Sequence, residues 1–219
     1  MIRACIFDMD GTLFDTLTDI ANAANHALTQ LGFPKHPLQD YKAFIGNGIS
    51  NIIRSALPED ARGEENATQA LELMNQHYVE HCLDFTRPFE GVPTLLMRLR
   101  DRGLPLAKKI AATLLPDIPF LAVLGEREGG HIKPDPTDAL TCARLAGIAP
   151  DQCALIGDSD GDIHTARNAG MISLCVDWGF RSRDFLQSLN PDALVSNTDM
   201  LYDAIINHPN HPSSPPIHP

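Results

Sequence analysis

Between residues 88 and 207 short apolar runs alternate with stretches of helical periodicity, and this alternation restricts the fold more than any other feature. PTLLMRLRDRG predicts a helix closed by Gly103, PFLAVLG a strand, and PTDALTCARLAG a helix closed by Gly147. CALIGD then reads as a strand, GDIHTARNAG as a helix closed by Gly170, and ISLCVDWG as a strand. FRSRDFLQSLN, DALVS and DMLYDAIIN follow as helix, short strand and helix. Strands separated by helices cannot pair as hairpins, so they pair in parallel, with helices on both faces. IRACIF, at the N-terminus, is short, apolar and partly β-branched, which suits a strand buried on both sides.

Residues 16–87 are different. TLTDIANAANHALTQLG carries apolar residues at helical spacing and is ended by Gly32 and Pro34. YKAFIG, NGISNIIRSALP and NATQALELMNQHYVEHCLD also read as helices, and strand signals are absent. The predicted organisation is therefore an α/β core of residues 1–15 and 88–207, interrupted by a helical block over 16–87. NHPNHPSSPPIHP, with five prolines in its thirteen residues, cannot build a core, and residues 208–219 are expected to be a disordered tail.

Charge excludes some functions. A formal net charge of −11 leaves no basic excess to neutralise phosphates, which argues against a nucleic-acid partner. The five cysteines are scattered with no CxxC pair and read as buried reduced thiols. No apolar run approaches the roughly 20 residues a membrane helix needs. Asp8 and Asp10 break the N-terminal apolar run too early for a signal peptide, so a cytoplasmic protein is expected.

Two acidic clusters sit where strands end: Asp8 and Asp10 after IRACIF, and Asp158, Asp160 and Asp162 in CALIGDSDGD. Aspartate and glycine are common in turns, which is the plain reading of either cluster alone. In a parallel sheet, however, ligands bind beyond the carboxyl ends of the strands, and if these two strands are neighbours both clusters converge on one point. Carboxylates gathered there need a hard cation, and oxygen donors beside a phosphate favour Mg²⁺. A calcium loop fails, because counting from Asp158 puts Ile163 at the position that demands glycine and Ala169 at the closing glutamate. Lys133, in GGHIKPDP, reads either as a solvated charge or as a fixed cation that offsets a phosphoryl group. The prolines beside it favour the second. Gly46, Asn47 and Gly48 form a tight turn that is either helix punctuation or a cradle for a small carboxylate, with Arg54 as an assistant.

DMDGT, a helical insertion, KPDP and GDSDGD, in that order, resemble the haloacid dehalogenase-like phosphohydrolases. FIGNGISNIIRSAL and GDSDGDIHTARNAG followed by WGFR resemble the phosphoglycolate phosphatase group among them. The resemblance covers nearly the whole chain except the tail. It implies a Rossmann-like core with an inserted helical cap and hydrolysis of a small phosphorylated metabolite such as 2-phosphoglycolate. In that scheme Asp8 is the nucleophile and Asp10 the general acid and base. Thr12 steadies the turn, amides around Gly11 cradle the phosphate, and Lys133 holds Asp8 and the phosphoryl oxygens. Mg²⁺ sits on Asp8, the Asp10 carbonyl and Asp158, supported by Asp162. Monomer and homodimer both fit the pattern. A phosphomutase on the same scaffold and a catalytically impaired binding protein are the competing readings.

One element of the pattern is missing. The family carries a serine or threonine at the end of a strand between the cap and the lysine. Here LPLA breaks off into KKIAATLLP with no hydroxyl after it. Thr113 falls inside the helical stretch, and Lys108 and Lys109 are the nearest cations. The segment is about a dozen residues short for a strand, a crossover helix and the next strand. A deletion in the molecule and residues missing from the sequence as read both account for it. An intact mass compared with 23.9 kDa separates the two.

Overall fold

A computed structural model describes residues 2–46, 48–102 and 131–208. The expected strand PFLAVLG, the LPLA segment with Lys108, Lys109 and Thr113, and the tail beyond residue 208 lie outside the described residues. The chain divides into two compact units. One holds the residues up to Leu13 together with those from Pro88 onward, and the other is Phe14–Arg87.

The first unit is built on a parallel sheet. Among the described residues its strands are β1 (Ala4–Phe7), β4 (Cys153–Gly157), β5 (Ile172–Val176) and β6 (Ala193–Val195), hydrogen-bonded in the order β1-β4-β5-β6. The register pairs Ala4 with Cys153 and Phe7 with Ile156. The α-helices of this unit among the described residues are α5 (Val92–Asp101), α6 (Thr137–Ala146), α7 (Asp160–Ala169), α8 (Arg183–Ser188) and α9 (Thr198–Ile206). Ala4, Cys153 and Leu155 pack with Ala139 and Ala143 of α6 and Ala166 and Ala169 of α7. The alternate strand residues Cys5, Ala154, Ile156 and Leu174 are buried as deeply. Side chains alternate along a strand, so both faces of the sheet are covered. This is the α/β architecture that the alternating pattern predicts.

The second unit is helical: α1 (Leu17–Gln30), α2 (Tyr41–Phe44), α3 (Ile49–Ala56) and α4 (Glu64–His81). The alanine-rich face of α1, with Ala23, Ala24 and Ala27 fully buried, lets α4 approach closely around Ala70 and Met74. Truncating a buried side chain of this size costs about 2–5 kcal/mol. Asn25 ties the loop after α1 in place: it accepts from the His36 amide at 2.9 Å and the Tyr41 hydroxyl at 2.9 Å, and donates to the His36 carbonyl. Two short strands escaped the sequence reading, β2 (Phe14–Asp15) and β3 (Arg87–Pro88), which pair as a ribbon. Two-residue strands carry too little periodicity to be read.

Near that ribbon Asp19 is buried and holds the end of the block. Its carboxylate accepts from the Phe85 amide, the Thr86 amide at 2.8 Å and the Thr86 hydroxyl at 2.8 Å. Among the described residues no helix is long and apolar enough to cross a membrane.

Candidate active site

Register brings the two acidic clusters together. Phe7 is paired with Ile156, and the Asp8 amide donates to the Ile156 carbonyl at 2.8 Å. Asp8 and Asp158 therefore leave the same end of adjacent parallel strands, about 4.8 Å apart across the sheet. Carboxylate oxygens of Asp8, Asp158 and Asp162 lie within 4.8 Å of one another.

The triad is held by several small devices. After β1 the chain turns on itself: the Thr12 and Leu13 amides both donate to the Met9 carbonyl, and Gly11 sits at φ +88°. A Cβ at Gly11 would be strained at that φ and would also overlap the Asp158 carboxylate. Thr12, expected to steady the turn, is buried and donates its hydroxyl to Asp158 Oδ1 at 3.0 Å. The loop after β5 closes over the other oxygen, with the Phe180 amide donating to Asp158 Oδ2 at 2.7 Å. Trp178 Nε1 donates to the Thr12 carbonyl at 3.1 Å, which ties this loop to the β1 turn. Gly179 lies so close that a Cβ there would overlap both Asp158 Oδ2 and the Gly11 carbonyl.

Asp162 is fixed by helix capping. Ser159 caps α7, and the Asp162 carboxylate returns to the Ser159 amide at 3.1 Å and hydroxyl at 2.6 Å. This reciprocal box satisfies two helix-end donors and pins the carboxylate. It leaves Asp162 Oδ1 to accept from Lys133 Nζ at 2.5 Å, and the same ammonium donates to Asp8 Oδ1 at 2.5 Å. Asn168 of α7 donates to the Pro134 carbonyl at 2.9 Å, anchoring the lysine loop to the helix that carries Asp162.

The electrostatics follow from this crowding. Burial pushes the Asp8 carboxyl up; Lys133 opposes that, and Asp162, Asp158 and Asp10 add to it. The Asp8 side chain keeps 22% exposure, so water tempers the effect. Burial and then Asp162 raise Asp158 to about 6, against the pull of the Phe180 amide, the Thr12 hydroxyl and Lys133. Burial works to lower the Lys133 ammonium, and Asp162 and Asp8 overcome it and carry the group upward. One ammonium among three carboxylates leaves a deficit of positive charge. Three oxygen donors in reach of one another with that deficit fit a divalent cation.

Of the residues singled out from sequence, Asp8, Gly11, Thr12, Lys133, Asp158 and Asp162 therefore meet. Asp10 lies half-buried on the same turn. Asp160 points elsewhere and pairs with Arg181 at 3.3 Å. Gly46 and Gly48 belong to the helical unit and both take positive φ, +123° and +85°, so their turn demands glycine. Asn47 lies outside the described residues. Arg54 is exposed and holds Glu64 at 2.5 Å. Ser159, Asn168, Gly179 and the Phe180 amide were not found by sequence reasoning; the S-x-x-D spacing of a capping box was the one local signal available.

Comparison with known proteins agrees with this picture. The family model described as haloacid dehalogenase-like hydrolase matches residues 5–176. The phosphoglycolate phosphatase of Chromobacterium violaceum is 32% identical, covering 94% of this chain and 97% of that protein. The phosphoglycolate phosphatase of Nitrosospira multiformis is 34% identical over 93% of this chain and 94% of its own. A solved structure from Lactobacillus delbrueckii subsp. bulgaricus, assigned to phosphoglycolate phosphatase, superposes with a TM-score of 0.85. It is 33% identical and covers 93% of this chain and 98% of its own. The chain belongs to the haloacid dehalogenase-like hydrolase family.

Proposed function

We propose that the chain is a Mg²⁺-dependent phosphatase that hydrolyses a small phosphorylated metabolite, with 2-phosphoglycolate the first candidate. The observation that carries this reading is the Lys133 ammonium shared between Asp8 and Asp162 within the carboxylate triad. The family membership and the names of the relatives support the choice of substrate.

Asp8 is the nucleophile. Its carboxylate oxygen bonds to phosphorus as the ester P–O bond breaks, giving an aspartyl-phosphate. Asp10 donates its proton to the leaving alkoxide, then takes a proton from the water that attacks phosphorus, which releases phosphate and restores Asp8. Lys133 orients Asp8 and faces the phosphoryl oxygens. Amides of the Gly11 turn add donors to the anion. Asp8, the Asp10 carbonyl, Asp158 and Asp162 would hold Mg²⁺, which supplies charge neutralisation and phosphoryl polarisation when bound. Thr12 and the Phe180 amide orient Asp158 for that task.

Residues 16–87 act as the helical cap that selects the leaving group. Gly46, Asn47 and Gly48 are the candidate partners of the substrate carboxylate, with Arg54 as an assistant.

Release of inorganic phosphate from 2-phosphoglycolate and from p-nitrophenyl phosphate tests the proposal. Mg²⁺-dependent release that disappears in Asp8→Asn is expected. Metal binding without turnover of either ester would favour a binding protein, and phosphoryl transfer to a second sugar phosphate would favour a mutase.

A further inference from the structure

WGFR, residues 178–181, follows β5 and is anchored on both sides. Before it, the Asp177 amide donates to the Val195 carbonyl at 3.1 Å, and the Asp177 carboxylate accepts from the Ser196 hydroxyl at 2.7 Å and from Arg183. After it, Ser182 caps α8 by accepting from the Phe185 amide. Between these anchors the run touches the candidate site twice. The Phe180 amide donates to Asp158 Oδ2 at 2.7 Å, and Trp178 Nε1 donates to the Thr12 carbonyl at 3.1 Å. Thr12 donates its own hydroxyl to Asp158 Oδ1 at 3.0 Å. These three hydrogen bonds close a circuit. It runs from Asp158 to Thr12, from Thr12 to Trp178, and through Gly179 and Phe180 back to Asp158. The circuit joins the chain segments that leave β1, β4 and β5, and glycine at 179 keeps it tight. A Cβ there would stand 2.3 Å from Asp158 Oδ2 and 2.4 Å from the Gly11 carbonyl oxygen.

We infer that Trp178 is a positioning residue for the metal site. Two bonds of the circuit act on Asp158 itself; the indole bond is the one that grips the backbone of the β1 turn. With its hydroxyl on Asp158 and its carbonyl on Trp178, Thr12 is fixed at side chain and backbone alike. The turn that carries Asp8 and Asp10 is fixed with it. Asp158 and the β1 turn therefore meet a cation as one preorganised unit, and outer groups that orient carboxylate ligands in this way raise their affinity for the ion. A phenyl ring at 178 keeps an aromatic body in place and removes the donor, which opens the circuit at one bond. The inference rests on the phosphatase reading for the identity of the cation, and it does not rest on turnover.

Calorimetric titration of Mg²⁺ into the full chain, with no substrate present, tests it. Trp178→Phe should weaken Mg²⁺ binding about tenfold. Trp178→His should stay within about threefold of the parent, because its Nε2 stands at the same place in a five-membered ring as the indole Nε1. Trp178 is the single tryptophan of the chain, so its indole N–H gives one cross-peak in a ¹H–¹⁵N spectrum. That cross-peak should move as Mg²⁺ is added to the unchanged chain, with the same midpoint as the calorimetric titration. A purely structural tryptophan would instead lower Tm in Trp178→Phe and leave Mg²⁺ affinity alone. Affinity unmoved in Trp178→Phe, a loss in Trp178→His as large as in Trp178→Phe, or a cross-peak indifferent to bound Mg²⁺ would each overturn the inference and leave the phosphatase reading standing. A parent chain that binds no Mg²⁺ would overturn both. If Trp178→Phe fails to fold, the cross-peak of the unchanged chain decides alone.

Discussion

Asp19 in the helical unit and Asp8 at the end of β1 are both aspartates withdrawn from water, yet their surroundings are opposite. Asp19 meets only donors: two amides and a hydroxyl. Asp8 meets one ammonium and two further carboxylates within 4.8 Å. A buried carboxylate surrounded by donors is satisfied by the fold itself. One crowded by two more carboxylates is only partly balanced by the single Lys133 ammonium and favours a further cation. The first arrangement closes a structure, and the second opens a site for chemistry.

Removing each carboxylate should therefore have opposite consequences. Asp8→Asn should lower kcat for phosphate ester hydrolysis by at least about 10⁴-fold, as loss of a nucleophile does. Its Tm without metal should stay unchanged or rise, because a repulsive charge is gone. Asp19→Ala should instead lower stability by about 3 kcal/mol in urea melts, because it strands buried donors that had a charged acceptor. Its Mg²⁺ affinity, measured by calorimetry, should stay that of the parent.

The glycines around Asp158 sharpen the contrast further. Gly179→Ala should displace both the Asp158 carboxylate and the Gly11 carbonyl, weakening Mg²⁺ binding about 10- to 100-fold and lowering Tm as well. Direct titration of Mg²⁺ against the folded variant reads this without recourse to turnover.

Proton linkage distinguishes the sites more gently. Asp158 has a folded pKa raised to about 6, so the native state holds more protons than the unfolded chain between roughly pH 4 and 6. Stability without metal should therefore fall as pH rises through that window, and Asp158→Asn should lessen this slope, leaving the part that Asp8 contributes. Mg²⁺ binding near pH 6 should release protons, and its affinity should weaken as pH falls below 6.

The smallest effect is expected at Asp160. Although it lies inside the same GDSDGD run, Asp160→Ala should change Mg²⁺ affinity less than about threefold. Its partner is Arg181, and a partly exposed pair of this kind contributes under about 1 kcal/mol.

Asp160 also marks what sequence could and could not reveal. The strand ends carrying Asp8 and Asp158 were legible, because apolar runs followed by Asp-Gly turns locate them and parallel pairing joins them. Which aspartates of GDSDGD converge was legible only through the family resemblance, which implied Asp158 with Asp162 in support and left Asp160 out. Asp160 and Asp162 open a helix two residues apart, about 200° around its axis, so they cannot face one point. The helices of both units were legible from apolar spacing and closing glycines. The clamp on Asp158 was not, since Thr12, Phe180 and Gly179 reach it from far along the chain. Asp19 looked like an ordinary residue of the first helical turn, and only its distant partners Phe85 and Thr86 reveal its work.

The most direct test of the account is to trap the phosphoryl group. The chain is mixed with 2-phosphoglycolate and Mg²⁺, quenched in acid within one turnover, and digested for peptide mass analysis. The account predicts one added phosphoryl group on the peptide containing Asp8, absent when Mg²⁺ is omitted and absent in Asp8→Asn. A phosphoryl group on another residue, or turnover that persists in Asp8→Asn, would contradict it.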